Sequence, residues 1–227
     1  SVVGMHMAKR RPEWLHAYIG VGQVVTIMNN EQVMFERLLS HAKEQNEEQL
    51  LAKLNAIAPY PDPDNPAKSF AENGVFVRGE LSRLAGESLM HHLLWDDVTT
   101  LWNFNNLITP HLTLTDISNS VLGDEVAVFR PPYHFTKEFM AIDLPNDVGC
   151  SFEVPIFFFS GSHDWQTPTT LSDKWFSQIN APHKELIHFE ESSHVIVHEE
   201  PGKVLVALVN KVLPLAQSGT GKEANNA

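Results

Sequence analysis

Two residues that can share a proton, Asp164 and His194, each follow a short apolar stretch of the chain. An aspartate that accepts a hydrogen bond from a histidine holds the imidazole in one tautomer and stabilises its protonated form. The histidine can then take a proton as a general base and return it as a general acid. Because the acid precedes the histidine, the pair matches the later part of a triad in the order serine, aspartate, histidine.

The segments around this pair predict two consecutive strand–helix units. Residues 154–161 and 186–189 are short, mostly apolar runs, which are typical of strands covered on both faces. Gly161 permits a sharp turn after the first strand, and Thr167 followed by Pro168 predicts the start of a helix. Neighbouring parallel strands end at the same edge of a sheet, where open α/β sheets have their sites. We therefore expect the acid and the histidine to meet at that edge.

The sequence VPIFFFSGSHDWQTP at residues 154–168 resembles the acid loop of α/β-hydrolases of the proline iminopeptidase type. Three further segments are similar to the histidine strand, the histidine loop and the final helix of that family: residues 181–186, 192–195 and 199–201. The resemblance is close over about 151–213, returns at 1–26 and is weak between them. It implies the later strands of the mostly parallel α/β-hydrolase sheet, with Asp164 as triad acid and His194 as triad base.

The nucleophile that this family uses is absent from the sequence. The family carries it in a Gly-x-Ser-x-Gly elbow, and the 227 residues contain no such pattern. Ser1 is similar to a serine that follows the family's nucleophile by three residues, and Val3 stands where an elbow centred on Ser1 would need glycine. A His-Gly-Gly-Pro-Gly oxyanion loop is absent as well.

Three explanations for the missing elbow stay open. The nucleophile half is a separate polypeptide or a proteolytic partner, or the sequence begins after a break such as a modified nucleophile, or the product is truncated and inactive. A sheet without the nucleophile strand would have an uncovered edge, which invites pairing or aggregation. We therefore expect a complementary amino-terminal half that carries the nucleophile in any stable and active form.

The chain as a whole divides into four predicted segments. Residues 1–26 and 139–215 are assigned to the α/β-hydrolase core, residues 27–138 to an inserted all-helical cap, and residues 216–227 to a disordered tail. The cap assignment follows from apolar residues at near-helical spacing over 33–42 and from the scarcity of two-residue alternation. The tail is mostly small and polar, so it cannot bury apolar surface.

Capping residues and prolines predict where the helices begin and end. Asn29 or Asn30 caps the first helix of the predicted cap, and the prolines of residues 59–66 end the second. Further cap helices are predicted over 67–73, 77–85, 88–103 and 113–121. A final amphipathic helix over about 199–213 is expected to cover one face of the sheet through its apolar residues: Val204, Leu205, Leu208, Val209 and Val212.

Gln23, near the end of a strand predicted over 16–25, and Trp165, beside the acid, are the candidate substrate-binding residues. The resemblance implies a position near the substrate for Gln23, and an ordinary polar strand end is the favoured alternative. Aromatic and methionine side chains in 90–104 could line an apolar pocket, although the cap's own core is their favoured role. The adjacent histidines at 91 and 92 lack zinc-ligand spacing, so we expect neither metal nor cofactor.

Composition narrows the classes of partner. The chain is 43% apolar and 19% charged, which is typical of a globular protein. Its net charge of −12 argues against nucleic acid and anionic membranes as partners. Cys150 is the single cysteine, which rules out an intrachain disulfide. No apolar run is long enough to span a bilayer and no signal peptide is recognised, so we expect a cytoplasmic protein.

The acid–histidine pair and the resemblance together predict serine-nucleophile hydrolysis of a small amide or ester. An aminopeptidase of the proline iminopeptidase type, acting on a small molecule or a short peptide, is the favoured interpretation. One alternative is another capped α/β-hydrolase, namely an esterase, lactonase, epoxide hydrolase or dehalogenase. The other is a non-catalytic truncated fragment or interaction module.

Overall fold

The computed structural model describes residues 1–89 and 133–219. Contacts divide the chain into two units, one formed by Ser1–Asn30 with Ile142–Ala227 and the other by Glu31–Ala141. We call the first the sheet unit, because it contains all the described strands, and the second the helical unit. The cap and core boundaries drawn from the sequence stay predictions.

The described elements alternate between helices and short strands in the sheet unit and are helical in the helical unit. In chain order they are α1 (Val2–Arg10), a 3₁₀ turn (Pro12–Trp14), β1 (Tyr18–Val21), α2 (Ile27–Glu44), α3 (Glu48–Ile57), α4 (Pro66–Leu89), α5 (Tyr133–Met140), α6 (Leu144–Val148), β2 (Ile156–Gly161), α7 (Thr169–Gln178), β3 (Lys184–Phe189), α8 (Ile196–Glu199), α9 (Pro201–Ala207), a π-helical turn (Leu208–Val212) and α10 (Leu213–Gly219).

The three described strands form one parallel sheet in the order β1-β2-β3. Tyr18 of β1 is opposite Ile156 of β2. Gly161 and Phe189, the last residues of β2 and β3, are opposite each other, so these two strands end at the same edge. The predicted α/β class with a parallel sheet is confirmed.

β2 is buried along its whole length, because its side chains fill apolar cores on both faces of the sheet. Ile156 and Phe158 pack in one core with Trp175 of α7. Phe157 and Phe159 alternate with them and belong to the other core. Since a fully buried side chain of this size contributes roughly 1.5–3 kcal/mol, β2 is the element that the sheet unit is built around.

The predicted final helix over about 199–213 is present with other bounds, because the helical run begins at Pro201 and continues through a π-helical turn to Gly219. A break separates α8 from α9, because Pro201 occupies the first helical position of α9 and has no N–H to continue the preceding helix. The π-helical turn over Leu208–Val212 then departs from the 3.6-residue period. Of the apolar residues predicted to cover the sheet, Val204 is buried and Leu208 and Val212 pack against the same core, whereas Leu205 and Val209 are 60% and 48% exposed.

The predicted disordered tail begins too early. α10 extends to Gly219, and Ala216 and Gln217 continue it because both favour the helical conformation. The rest of that tail, 220–227, lies outside the described residues. The same holds for the predicted helix over 113–121, for most of the one over 88–103, and for the aromatic and histidine residues of 90–104.

The chain leaves and re-enters the sheet unit at adjacent points. Thr26 and Asp143 form an isolated antiparallel bridge. Beside it, the N–H of Ile27 donates to the carbonyl of Ile142 at 3.1 Å. These contacts close the long intervening segment at its base.

In the helical unit, α4 is one helix, whereas the sequence predicted separate segments over 67–73 and 77–85. α5 packs along α4, and the rings of Phe70 and Phe139 lie 5.5 Å apart between centroids. This packing sustains the helix through Gly74, whose intrinsic helical propensity is low. Tertiary contact therefore overrides the local preference at this position.

A buried charged cluster connects α2, the proline-rich segment and α4 in the helical unit. The carboxylate of Glu31 is fully buried, accepts a hydrogen bond from the Tyr60 hydroxyl at 2.8 Å and pairs with the Arg78 guanidinium. That guanidinium also lies over the rings of Phe70 and Phe139, 5.4 and 5.9 Å from their centroids. Burial and the adjacent carboxylate raise the pKa of Tyr60 above its usual value, so the phenol remains a hydrogen-bond donor.

Candidate active site

Asp164 and His194 meet where β2 and β3 end. Asp164 lies in the turn that follows β2, and His194 lies in the loop between β3 and α8. The His194 Nδ1 atom is 3.0 Å from Asp164 Oδ2. The aspartate side chain is 1% exposed and the histidine side chain 33% exposed. The acid is therefore shielded from solvent, while the imidazole is partly accessible.

The Asp164 carboxylate is oriented by its own turn. The N–H groups of Gln166 and Thr167 both donate to Oδ1 at 2.8 Å. The Thr167 hydroxyl donates to Oδ2 at 2.7 Å. Together with the histidine these donors leave the carboxylate little freedom to rotate, which is how an orienting acid in a triad must be held.

The tautomer of His194 follows from its partner. An ionised carboxylate can only accept hydrogen bonds, so the contact assigns a proton to Nδ1. The lone pair then resides on Nε2, the atom that can remove a proton from a nucleophile. The geometry therefore matches the acid and base of a triad.

Thr167 is a site residue whose role the sequence interpretation missed. It was predicted to cap the following helix, but α7 begins at Thr169 and its N-cap, Pro168, makes no side-chain cap. The Thr167 hydroxyl instead bonds Asp164 and lies 3.3 Å from His194 Nδ1. An aspartate followed three residues later by threonine, directly after a buried strand, is the signal that could have revealed it.

The acid loop is also tied to the start of α2. The Asn30 side-chain amide, buried within α2, donates to the Gln166 carbonyl at 2.8 Å. Asn29 and Asn30 were predicted to cap this helix, but α2 begins earlier, at Ile27, which places Asn30 inside it. Its side chain is thereby available for the acid loop instead of the helix terminus.

The two candidate substrate-binding residues differ in exposure. Gln23 is 2% exposed; its Oε1 accepts from the Tyr18 hydroxyl at 2.6 Å and its Nε2 donates to the Val24 carbonyl at 2.6 Å. Both ends of this amide are thus used by neighbouring residues of the sheet unit. Trp165 is half-buried and follows the acid directly. Substrate contact by either residue stays a prediction.

The backbone of Gly22 packs closely against the His194 imidazole. Its φ is +56°, and a Cβ there would lie 2.8 Å from both Cε1 and Nδ1 of His194 and 3.3 Å from the Thr167 hydroxyl. The position thus requires glycine for its backbone conformation and for space. A side chain here would push the imidazole away from the acid.

Gly22→Ala should therefore lower the free energy of unfolding by about 1–2 kcal/mol through backbone strain and also displace His194. Gly149→Ala is the matched control, since Gly149 also has a positive φ, +72°, but open space around its Cβ position. Urea unfolding and imidazole NMR would separate the effects. Both variants should lose stability, and only Gly22→Ala should change the His194 signals. Unchanged His194 signals in Gly22→Ala would contradict the contact.

Within the described residues, no group of three or more His, Cys, Asp and Glu side chains could hold a metal ion. None of the described helices is long and apolar enough to cross a membrane. Cys150 is a free, half-buried thiol.

The chain is similar to a curated protein. The chain is 24% identical over 209 residues to the "Probable aminopeptidase YbaC" of Bacillus subtilis (strain 168), an alignment that covers 88% of this chain. The chain spans 58% of the length of that relative. No protein-family model matches.

Two solved structures are also similar to the chain. A proline iminopeptidase of Mycobacterium smegmatis is 17% identical, with a TM-score of 0.46 over 96% of this chain and 63% of its own. MGS-M2, an α/β hydrolase from a Medee basin deep-sea metagenome library, is 14% identical, with a TM-score of 0.44 over 94% of this chain and 61% of its own. The parallel sheet agrees with the α/β-hydrolase assignment made from the sequence.

Proposed function

We propose that this α/β-hydrolase chain supplies the acid and the base for serine-nucleophile hydrolysis of a small amide or ester. The observation that carries the proposal is the 3.0 Å contact between Asp164 Oδ2 and His194 Nδ1 at the shared edge of two parallel strands. An aminopeptidase that acts on short peptides, of the proline iminopeptidase type, is the favoured case. The name of the curated relative supports this choice of substrate class.

In the proposed reaction, Nε2 of His194 removes the proton from a serine hydroxyl as its oxygen attacks the substrate carbonyl carbon. Asp164 stabilises the resulting imidazolium, and backbone N–H groups stabilise the oxyanion. The imidazolium then protonates the leaving amine or alkoxide. Water attacks the acyl-serine with the same histidine as base, which regenerates the hydroxyl and releases the acid.

The nucleophile belongs to a complementary amino-terminal segment, either covalently joined or a separate polypeptide. This part of the proposal is supported by the absence of a Gly-x-Ser-x-Gly elbow from the 227 residues. It is supported further by the position of β1, which is one of the two outer strands of the described sheet and can accept another strand. A cytoplasmic location completes the proposal, since a free thiol and no disulfide suit a reducing compartment.

The test is intact mass spectrometry of the purified protein before and after reaction with a fluorophosphonate serine probe. We expect one probe adduct on a species heavier than the 25.5 kDa chain or on a co-purifying partner. His194→Ala is the control, and it should react far more slowly because the serine would lack its base. A species of 25.5 kDa that takes up no probe would contradict the serine mechanism and favour the non-catalytic module.

A further inference from the structure

The loop that carries His194 is held by a carboxylate that follows it in the chain. Glu199, the last residue of α8, accepts two hydrogen bonds from Ser193, the residue before the histidine. The Ser193 N–H donates to Oε2 and the Ser193 hydroxyl donates to Oε1, each at 2.7 Å. One carboxylate therefore binds both donors of a serine that is only 1% exposed.

The opposite side of the same loop packs against the end of β2. The His163 N–H donates to the Ser192 carbonyl at 3.0 Å. The Ser193 carbonyl lies so close to Gly161 that a Cβ there would be 2.0 Å from its oxygen. The peptide before His194 is thus confined between the acid loop and the carboxylate of Glu199.

This confinement bears directly on the imidazole. Rotation about the Ser193 backbone would swing the His194 side chain, and the contact to Asp164 permits little movement because Nδ1 is already 3.0 Å from Oδ2. The Thr167 hydroxyl lies 3.3 Å from the same nitrogen. A small displacement of the imidazole would therefore move Nδ1 from the Asp164 carboxylate to this hydroxyl. Two charge-assisted hydrogen bonds donated by Ser193 to one carboxylate are well suited to prevent that rotation.

We propose that Glu199 is a positioning residue for His194: by binding both donors of Ser193 it keeps Nδ1 directed at Asp164 and Nε2 directed at the reacting atoms. This inference rests on the proposed hydrolase function. It adds a specific role for a residue that acts on the histidine through the residue before it.

The chain offers a rescue variant and a neighbouring control. In Glu199→Gln the amide oxygen can accept from the Ser193 N–H, and the amide NH₂ can donate to the Ser193 hydroxyl once that hydroxyl rotates. Glu199→Ala removes both partners. Glu200→Ala is the control, because Glu200 accepts from the Ser192 hydroxyl at 2.7 Å and its other oxygen faces Lys203.

The experiment combines imidazole NMR with steady-state kinetics on the full protein, together with the partner that supplies the nucleophile where one co-purifies. His194 signals would be assigned by their loss in His194→Asn, which distinguishes them from the other eleven of the 12 histidines. We expect Glu199→Ala to shift His194 from the Nδ1–H tautomer to a mixture. We also expect kcat to fall about 100-fold with KM within about twofold, as for a misplaced catalytic group.

Glu199→Gln and Glu200→Ala should both retain the wild-type tautomer and kcat within about threefold, since each leaves Ser193 with two partners. A folded Glu199→Ala protein with the wild-type tautomer of His194 overturns the proposal. If that variant does not fold, Ser193→Ala, which loses only the hydroxyl bond, should shift the tautomer partly, and an unshifted signal overturns the proposal instead. The two readouts separate this proposal from the hydrolase function. If the wild-type protein hydrolyses no substrate but Glu199→Ala still shifts the His194 tautomer, the hydrolase function is contradicted and the positioning role of Glu199 is not.

Discussion

Asp164→Asn is expected to lower kcat of the active protein by about 10⁴-fold, with little change in stability. The asparagine carbonyl can replace Oδ1 as acceptor for the N–H groups of Gln166 and Thr167. Its NH₂ group then occupies the place of Oδ2 and must donate to Nδ1 of His194. The imidazole is thereby forced to carry its proton on Nε2, so the base atom is lost although the geometry is kept.

Asp173→Asn is the matched control for this substitution. Asp173 also faces a histidine, with its Oδ2 3.5 Å from His188 Nε2, but these two residues belong to α7 and β3 and not to the acid turn or the His194 loop. Its replacement should leave kcat unchanged within a factor of about two, as for a residue outside the reaction. Turnover in Asp164→Asn within tenfold of the wild type would refute the assignment of the triad acid.

The second large effect is expected in the helical unit. Arg78→Met should lower the free energy of unfolding by about 3–5 kcal/mol, because it removes the cationic partner of a fully buried carboxylate. Glu31 is 0% exposed. In Arg78→Met its buried carboxylate would keep the hydrogen bond from the Tyr60 hydroxyl but would lose the positive charge of the guanidinium. Urea unfolding, followed by circular dichroism, measures the loss.

Two further variants identify the origin of that loss. The double variant Glu31→Met with Arg78→Met removes both charges and should recover most of the stability, since a buried pair contributes little beyond an apolar replacement. Lys68→Met makes the same type of change on α4, but the Lys68–Glu72 pair is exposed, so the effect should stay within about 0.5 kcal/mol. Equal losses in Arg78→Met and Lys68→Met would show that the buried cluster does not stabilise the unit.

The centre of the sheet and the acid–histidine pair could be predicted from the sequence because their signals are local. The apolar run of β2 can be stable only when both faces are covered, and Asp164 lies in the turn after it. β3, which was also expected to be covered on both faces, is mostly half-buried, and His194 lies in the loop that follows it. The parallel pairing of β2 with β3 then brings the two residues together. Residue type, order and strand position were sufficient for this part of the site.

The features that the sequence did not predict depend on which of several available partners each group takes. Thr167 has the pattern of a helix cap, and its hydroxyl turns to Asp164 because the carboxylate is the stronger acceptor. The two hydrogen bonds from Ser193 to Glu199 require α8 to be a short separate helix, which the break before Pro201 produces. α4 continues through Gly74 because α5 packs against it. At Gly74 the local preference was outweighed by a partner distant in the chain, whereas Thr167 was redirected by a carboxylate three residues before it.

The bridge between Thr26 and Asp143 closes a long segment of the chain, which affects both the rate of folding and the tolerance of that segment to changes in length. Residues as far apart in sequence as Asn30 and Gln166, 136 positions, must meet before the acid loop is complete, so folding of this region should be slow. The entropy of closing such a loop grows only with the logarithm of its length, and each doubling costs about 0.6 kcal/mol. The intervening segment can therefore be lengthened, shortened or exchanged at its base with little thermodynamic penalty. In evolutionary terms, that junction permits the helical unit to diverge while the acid–histidine pair remains in place.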